Sequence, residues 1–148
     1  MGLWSLIKNA VLDEFKIIDQ LVNPEEFADT GKVGEQASYR ALWFYFKDKL
    51  FRNVYLRDEN GKLTEIDLVA VGKKGIYVFE SKNYSGTICG SGKYKNWICY
   101  IGKKRINFYS PILQNYRHIK VLEHNFKDIS DLKFFSIIIF SARCNLKV

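Results

Sequence analysis

Cysteine, histidine and long apolar runs are scarce in this 148-residue chain, and each scarcity excludes a class of protein. The three cysteines, Cys89, Cys99 and Cys144, form no CxxC pair, and neither histidine has a metal-ligating neighbour at the usual spacing. This pattern excludes a disulfide scaffold and a zinc site, and it predicts reduced thiols in a cytoplasmic protein. We expect His118 and His124 to lie on a helix surface. No apolar segment is long enough to span a bilayer.

Apolar and basic residues, in contrast, are abundant. Hydrophobic residues make up 47% and aromatic residues 16% of the sequence, which is enough to build the core of one domain. The formal net charge is +7, which favours an anionic partner such as a nucleic acid or a membrane surface. The chain contains no internal repeat and no low-complexity tract.

The N-terminal segment has an amphipathic pattern that ends at Asn23-Pro24. Its apolar residues recur at near-helical spacing: Leu3, Ile7, Val11, Phe15, Ile18 and Val22. We therefore predict an amphipathic helix over residues 1–23, packed on the domain or on a partner. The alternative is weak association of residues 1–22 with a membrane through Trp4 and its neighbours, which would make the protein membrane-peripheral. The mixed charges of the segment argue against strong binding to anionic lipid.

The rest of the chain alternates between helical and strand patterns. We predict, in order, a helix at Glu35–Leu50, strands at Val54–Arg57, Leu63–Ala70 and Gly75–Lys82, a helix from Pro111 to about Phe126, and a buried strand at Phe134–Phe140. Asn60-Gly61 marks the turn between the first two strands. Gly86–Phe108 is rich in glycine, lysine and aromatics, which predicts a small hairpin or an extended loop. The order α-β-β-β-α-β predicts an α/β domain with a central mixed sheet flanked by helices.

Charged residues lie close together on the predicted second and third strands. A turn placed symmetrically at Lys73-Lys74 puts Asp67 opposite Glu80 and Glu65 opposite Lys82 on one face of the sheet. Carboxylates that face each other repel, and a divalent cation with oxygen ligands would offset the repulsion. The alternative is an exposed strand end with a Glu65–Lys82 ion pair and Asp67 in water, because a one-residue slip of register separates the charges.

An ordered set of short motifs resembles the nuclease-related domain, NERD, of the PD-(D/E)xK nuclease superfamily. The motifs are Gly34-Glu35 at a helix start, Glu65-Ile66-Asp67 and Glu80-Ser81-Lys82-Asn83 on successive strands, then Gly86, Trp97, and Pro111 with Gln114 in a helix. The resemblance runs from about Gly31 to Phe140 and implies a restriction-endonuclease-like fold for a domain over residues 31–148. The chain ends soon after a predicted strand, so we expect this domain to be truncated at its C-terminus.

The resemblance implies a metal-dependent nuclease that hydrolyses phosphodiester bonds, and we expect DNA as the substrate. By position, Asp67 and Glu80 match the carboxylates that bind Mg²⁺ or Mn²⁺, and Lys82 matches the catalytic lysine. Glu35 and Gln114 match helix positions that complete the site in many superfamily members. Both also have simpler explanations, because a helix start favours a carboxylate and a glutamine in a first helical turn can be a surface residue.

Basic and aromatic residues between the third strand and the second predicted helix are candidates for nucleic-acid binding. They are Lys93, Lys95, Trp97, Lys103, Lys104 and Arg105. Such side chains can contact phosphates and stack on bases, although a charged hairpin in solvent would have the same composition. Two other functions stay open at this point. One is a non-catalytic nucleic-acid-binding module of the same fold, and the other is a membrane-associated or interaction protein that uses the N-terminal helix.

Overall fold

A computed structural model of the protein describes residues 30–148. The elements follow the order α1 (Thr30–Phe46), a short 3-10 helix (Lys47–Lys49), β1 (Leu50–Arg57), β2 (Leu63–Gly72), β3 (Gly75–Lys82), β4 (Gly86–Cys89), β5 (Asn96–Ile101), β6 (Lys104–Tyr109), α2 (Pro111–Asn125), β7 (Phe134–Phe140) and β8 (Cys144–Lys147). The helix predicted over residues 1–23, and any membrane contact it makes, lie outside the described residues. Within the described part of the chain, neither helix has the length and apolarity needed to cross a membrane.

The strands form two mixed four-stranded sheets, where the sequence predicted one central sheet. In the first sheet β1, β2 and β3 form an antiparallel meander, and β7 joins it parallel to β3. In the second sheet the order is β6-β5-β4-β8, with β8 parallel to β4. The fold is therefore α/β, and the helices flanking the first sheet are consistent with a restriction-endonuclease-like architecture.

The second sheet corrects the prediction of a small hairpin or loop over Gly86–Phe108. The β5–β6 hairpin exists, but β4 extends it and pairs with β8, which comes from the far end of the described chain. Ile88, Trp97 and Cys99 form its buried core. All three cysteines are free thiols, as predicted.

The β2–β3 hairpin has the register that a symmetric turn at Lys73-Lys74 predicts. Its ladder runs away from the turn as far as the pair Leu68–Phe79. One further step in the same register places Asp67 opposite Glu80. The hairpin therefore brings the two carboxylates to the same level of the first sheet, at the end away from the turn.

Both faces of the first sheet are covered, as the apolar pattern of β2 and β3 predicts. On one face, residues of the meander pack against α2 and its C-terminal end: Val69, Val71, Ile76 and Val78 with Val121, Leu122 and Phe126. On the other, they pack against α1: Leu68, Ala70 and Phe79 with Tyr39, Leu42 and Phe46. Strand β7 was expected to be buried but is only half-buried, because it lies at the edge of the sheet.

Helix α1 is displaced along the chain from its predicted position. It begins at Thr30 instead of Glu35, and it ends at Phe46 instead of Leu50. Lys47 adopts a φ of 50°, in the left-handed region that commonly follows the end of a helix. The chain then enters β1, where Leu50 is buried on the α1 side of the sheet.

Gly34 allows α1 to lie directly against the end of β3. A Cβ on Gly34 would lie 2.4 Å from the Cβ of Asn83, which is closer than such atoms approach. One turn further along, the hydroxyl of Ser38 donates to the Gly34 carbonyl and shares a hydrogen bond with the Ser81 hydroxyl, each at 3.0 Å. These contacts hold the first half of α1, and with it Glu35, beside the C-terminal end of β3.

We expect Gly34→Ala to destabilise the domain although alanine is the better helix former. The gain in helix propensity is about 1 kcal/mol, whereas overpacking costs about 1–3 kcal/mol. Overpacking should win, because rotating a side chain does not relieve a clash between two β-carbons. Urea denaturation measures the effect. Gly92→Ala is the matched control, because a Cβ at Gly92 meets nothing within 4 Å. Equal free energies of unfolding for the two variants would contradict this account of Gly34.

Candidate active site

Glu80 is the centre of a polar cluster at the end of the first sheet, and it is only 1% exposed. Its Oε1 accepts a hydrogen bond from the Lys82 ammonium at 2.5 Å. The same ammonium donates to the Gln114 Oε1 at 3.0 Å. Glu80 and Lys82 share a face because side chains alternate along a strand, and Gln114 reaches them from the first turn of α2. Three of the predicted site residues are thus joined by direct contacts.

Asp67 approaches this cluster from β2. Its Oδ2 accepts a hydrogen bond from the backbone N–H of Ser81 at 3.2 Å. Burial raises the pKa of the Asp67 carboxyl, and that hydrogen bond and the nearby Lys82 charge oppose the rise. Asp67 is therefore a half-buried carboxylate within electrostatic reach of Lys82.

The charge of Asp67 also affects the pKa of Glu80. Burial, followed by the charge of Asp67, raises the pKa of Glu80 to about 7, although Lys82 lowers it. Glu80 is 1% exposed, so its removal from water strongly disfavours the ionised form. Near neutral pH the pair consequently retains part of one proton. A cation bound between the carboxylates would stabilise their ionised forms, and the pair would then release this proton.

Glu35 adds a third carboxylate from the start of α1. It is half-buried, and its charge makes a further, smaller contribution to the raised pKa of Glu80. Glu65, in contrast, is exposed. Lys82 makes its ion pair with Glu80, and Asp67 is half-buried. The alternative of an exposed strand end with a Glu65–Lys82 ion pair and Asp67 in water is therefore wrong.

His118 lies buried beside Glu80, and not on the helix surface as the sequence predicted. His118 is 5% exposed, and its Nδ1 faces the Glu80 Oε2 at 3.4 Å, with neither atom in a hydrogen bond. Burial, and then the charge of Lys82, lower the pKa of His118 to about 4, so its ring is neutral at physiological pH. His124 is exposed, as predicted.

A second polar residue on α2, Asn115, is also fully buried. Its amide donates to the Val78 carbonyl and to the Ser136 hydroxyl, both at 2.8 Å. Asn115, His118 and Leu122 recur at helical spacing on the side of α2 that faces the sheet. That spacing could have indicated that Asn115 and His118 are buried. Apolar periodicity does not indicate it, because two of the three residues are polar.

The structure divides the predicted nucleic-acid-binding residues into separate groups. Lys93 and Lys95 are exposed in the loop before β5, whereas Lys103, Lys104 and Arg105 are exposed at the opposite end of the β5–β6 hairpin. The two groups are separated by the length of β5, which is about 20 Å. They therefore form two basic patches on the second sheet.

The stacking role predicted for Trp97 is wrong. Trp97 is 2% exposed, and its indole N–H donates to the Ser91 carbonyl at 3.1 Å. Its ring stacks on Phe140 inside the core, so neither face is open to a base. The exposed aromatic residues of this region are Tyr94 and Tyr100.

The donor set of the cluster suits a small, hard cation. Asp67 and Glu80 offer carboxylate oxygens, and the Glu80 Oε2 is buried without a hydrogen bond. Within residues 30–148, no group of three or more His, Cys, Asp or Glu residues is arranged around a common point. Mg²⁺ commonly binds through one or two carboxylates and keeps several waters, so a pair of carboxylates fits its requirements.

Known proteins provide an independent comparison. The family described as nuclease-related domain matches residues 30–141. An uncharacterized protein of Bacillus anthracis is 35% identical over 119 residues, which cover 79% of this chain and 55% of that relative. The chain thus spans about half the length of the curated relative it matches. No solved structure matches the chain.

Proposed function

The chain belongs to the nuclease-related domain (NERD) family, and from this membership we propose that it is a metal-dependent nuclease that hydrolyses phosphodiester bonds in DNA. The observation that carries the proposal is the buried chain of contacts from Glu80 through Lys82 to Gln114, with Asp67 beside it. A buried carboxylate with a raised pKa, held against a lysine and a second carboxylate, is costly for stability. Such an arrangement is typical of a functional site.

In this proposal Asp67 and Glu80 hold Mg²⁺ or Mn²⁺. The cation would supply Lewis acidity towards a phosphoryl oxygen and towards an attacking water. Its positive charge would also favour the ionised form of Glu80, which the metal-free site disfavours. Metal binding and ionisation of Glu80 are therefore expected to be coupled.

We propose that Lys82 acts on the reacting groups. Its side chain is 18% exposed, so the ammonium lies at the boundary between the buried carboxylate and solvent. An ammonium has three donors, and Glu80 and Gln114 engage two of them. The third can orient a water or stabilise the charge that develops on the phosphoryl oxygens.

Gln114 and His118 act on the other members of the site instead of on the substrate. The Gln114 carbonyl holds the Lys82 ammonium from α2. His118 packs against the Glu80 carboxylate on the side away from Lys82, which limits its rotation. We propose positioning roles for both. Glu35 would complete the charge of the site from α1.

A panel of nucleic acids tests the proposed function. Single- and double-stranded DNA and RNA are incubated with the full chain and Mg²⁺ or Mn²⁺, beside Asp67→Ala and an EDTA control. We expect metal-dependent cleavage of DNA by the wild type and no cleavage by Asp67→Ala. A wild type that binds nucleic acid but is inert on every substrate would favour the non-catalytic binding module instead.

We also expect nucleic-acid binding to be electrostatic and largely independent of sequence. Each phosphate contact releases counterions, so replacing Lys103, Lys104 and Arg105 by alanine should reduce the slope of log K against log salt by about 3 for duplex DNA. Fluorescence anisotropy at several salt concentrations measures the slope. The matched control is Lys73→Ala/Lys74→Ala/Lys133→Ala, which removes the same charge elsewhere. If both triple variants bind alike, the hairpin patch is not the binding surface.

A further inference from the structure

Three consecutive aromatic residues protrude into solvent at the C-terminal end of α1. Trp43, Phe44 and Tyr45 are 45%, 75% and 84% exposed. The next residue, Phe46, turns inward and contacts Tyr77. The end of the helix thus packs Phe46 on the sheet and exposes the three aromatic residues before it. A cluster of large exposed apolar residues commonly marks an interaction surface.

Exposed lysines lie at the same end of the first sheet as the C-terminal end of α1. Lys47 follows α1 directly, Lys73-Lys74 form the β2–β3 turn, and Lys133 precedes β7. The short 3-10 helix contacts β2, and the Ile76 N–H donates to the Lys133 carbonyl at 2.8 Å, so these segments meet at one end of the first sheet. Two acidic residues, Asp48 and Asp131, belong to the same segments, and the lysines outnumber them.

We propose that this aromatic–lysine end (Trp43–Tyr45, Lys47, Lys73-Lys74 and Lys133) rests on the surface of an anionic lipid bilayer. Tryptophan and tyrosine rings are favoured at the level of the lipid headgroups. Lysine stems extend along apolar surface while their ammonium groups reach anionic phosphates. The charge of the lysines is therefore complementary to the headgroups that would surround the rings.

The position of the aromatic–lysine end favours a bilayer over a nucleic acid. The distance along β3 from Gly75, at the aromatic–lysine end, to Glu80, at the carboxylates, is about 17 Å. A nucleic acid bound there would be remote from the site that cleaves it, whereas a bilayer needs no access to the site. Bilayer contact at this end leaves Asp67, Glu80 and Lys82 at the opposite end of the sheet. This choice of a bilayer rests on the proposed nuclease function, whereas vesicle binding itself requires no catalytic activity.

Vesicle flotation with the full chain tests the proposal. We expect binding to vesicles of phosphatidylcholine with phosphatidylglycerol, and much weaker binding to phosphatidylcholine alone. Because each lysine near an anionic surface contributes about a fivefold factor, Lys73→Ala/Lys74→Ala/Lys133→Ala should lower partitioning about 100-fold. Lys103→Ala/Lys104→Ala/Arg105→Ala is the matched control and should change it little. Phe44→Ser/Tyr45→Ser should also reduce binding while leaving the fold intact, because both side chains are exposed.

Four results would overturn the proposal. The first is a wild type that does not float with either vesicle, and the second is equal binding to neutral and anionic vesicles. The third is the same result in both triple variants. An equal loss of lipid binding would assign binding to net charge, and no loss in either would assign it to residues 1–22. The fourth is a loss of DNA affinity in the Lys73, Lys74 and Lys133 variant as large as its loss of lipid binding, which would assign this end to nucleic acid.

Discussion

Lys82→Ala should lose about 10²- to 10³-fold in the rate of phosphodiester hydrolysis, which is the usual effect of removing one electrostatic contact to a transition state. Its affinity for DNA should change little, because the exposed lysines of the β5–β6 hairpin supply the phosphate contacts in this account. Single-turnover cleavage and anisotropy measure the two properties separately. Lys120→Ala is a suitable control, because Lys120 is an exposed lysine of α2 paired with Glu123.

A purely structural role for Lys82 is the competing explanation. Its partner Glu80 is buried, so breaking the pair could destabilise the fold as well as the transition state. The two explanations differ in what they predict for stability. Because the pKa of Glu80 is already raised to about 7, the lone carboxyl can take up a proton at little cost, and the variant should stay folded. A folded Lys82→Ala protein with undiminished cleavage would defeat the proposed mechanism.

Glu80→Gln should bind Mg²⁺ or Mn²⁺ far more weakly than the wild type, and lose cleavage with it, because an amide replaces one of two carboxylate ligands. In EDTA, however, the same change should preserve or increase stability at neutral pH. It removes a buried charge whose pKa shows that the metal-free fold disfavours ionisation. Calorimetric titration with Mn²⁺ measures the first effect. Equal metal affinity in the wild type and Glu80→Gln would show that Glu80 is not a ligand.

The stability effect has a defined pH window. The pKa of Glu80 rises from its ordinary 4.5 to about 7 on folding, so between these values the folded state binds a proton that the unfolded state has released. The contribution of the Glu80 carboxyl to wild-type stability is fully present below pH 4.5 and is lost as the pH rises through 7. Glutamine does not titrate. The advantage of Glu80→Gln over the wild type should therefore grow by about 3 kcal/mol between pH 4.5 and pH 8.

His118 does not obscure this comparison. Its pKa is lowered to about 4, so its own contribution to stability rises with pH between that value and 6.5. The contribution opposes that of Glu80 in the wild type, but it is present in both proteins and largely cancels in their difference. Urea denaturation in EDTA across this range measures the difference, and a pH-independent difference would contradict the burial of an ionisable Glu80.

The register of the β2–β3 hairpin and the positions of its carboxylates were predictable because residues close together in the sequence determine them. A two-residue turn between glycines sets the register, and side-chain alternation then places Asp67 and Glu80 at one level. The match of Lys82 and Gln114 to their positions came from the family resemblance. The Lys82–Glu80 contact lies within one strand. The Gln114–Lys82 contact, in contrast, joins segments from different parts of the chain, and no periodicity in the sequence indicates it.

The failed predictions concern partners that are distant in sequence. The pairing of β4 with β8 depends on two short segments that are far apart in the sequence, so Gly86–Phe108 alone suggested only a hairpin. Trp97 was assigned to solvent because it lies among lysines, but the second sheet needs a large core residue at that position. His118 was assigned to the helix surface because polar residues usually lie there, whereas in this fold its neighbour is Glu80.

The decisive measurement for a metal-dependent nuclease site at Asp67 and Glu80 is the rate of DNA cleavage as a function of Mn²⁺ concentration, in the wild type and in Asp67→Ala. We expect the wild-type rate to rise with Mn²⁺ to saturation, and Asp67→Ala to stay inactive over the same range while remaining folded. Cleavage by Asp67→Ala with the same rate and the same metal dependence as the wild type would show that Asp67 is not part of the site.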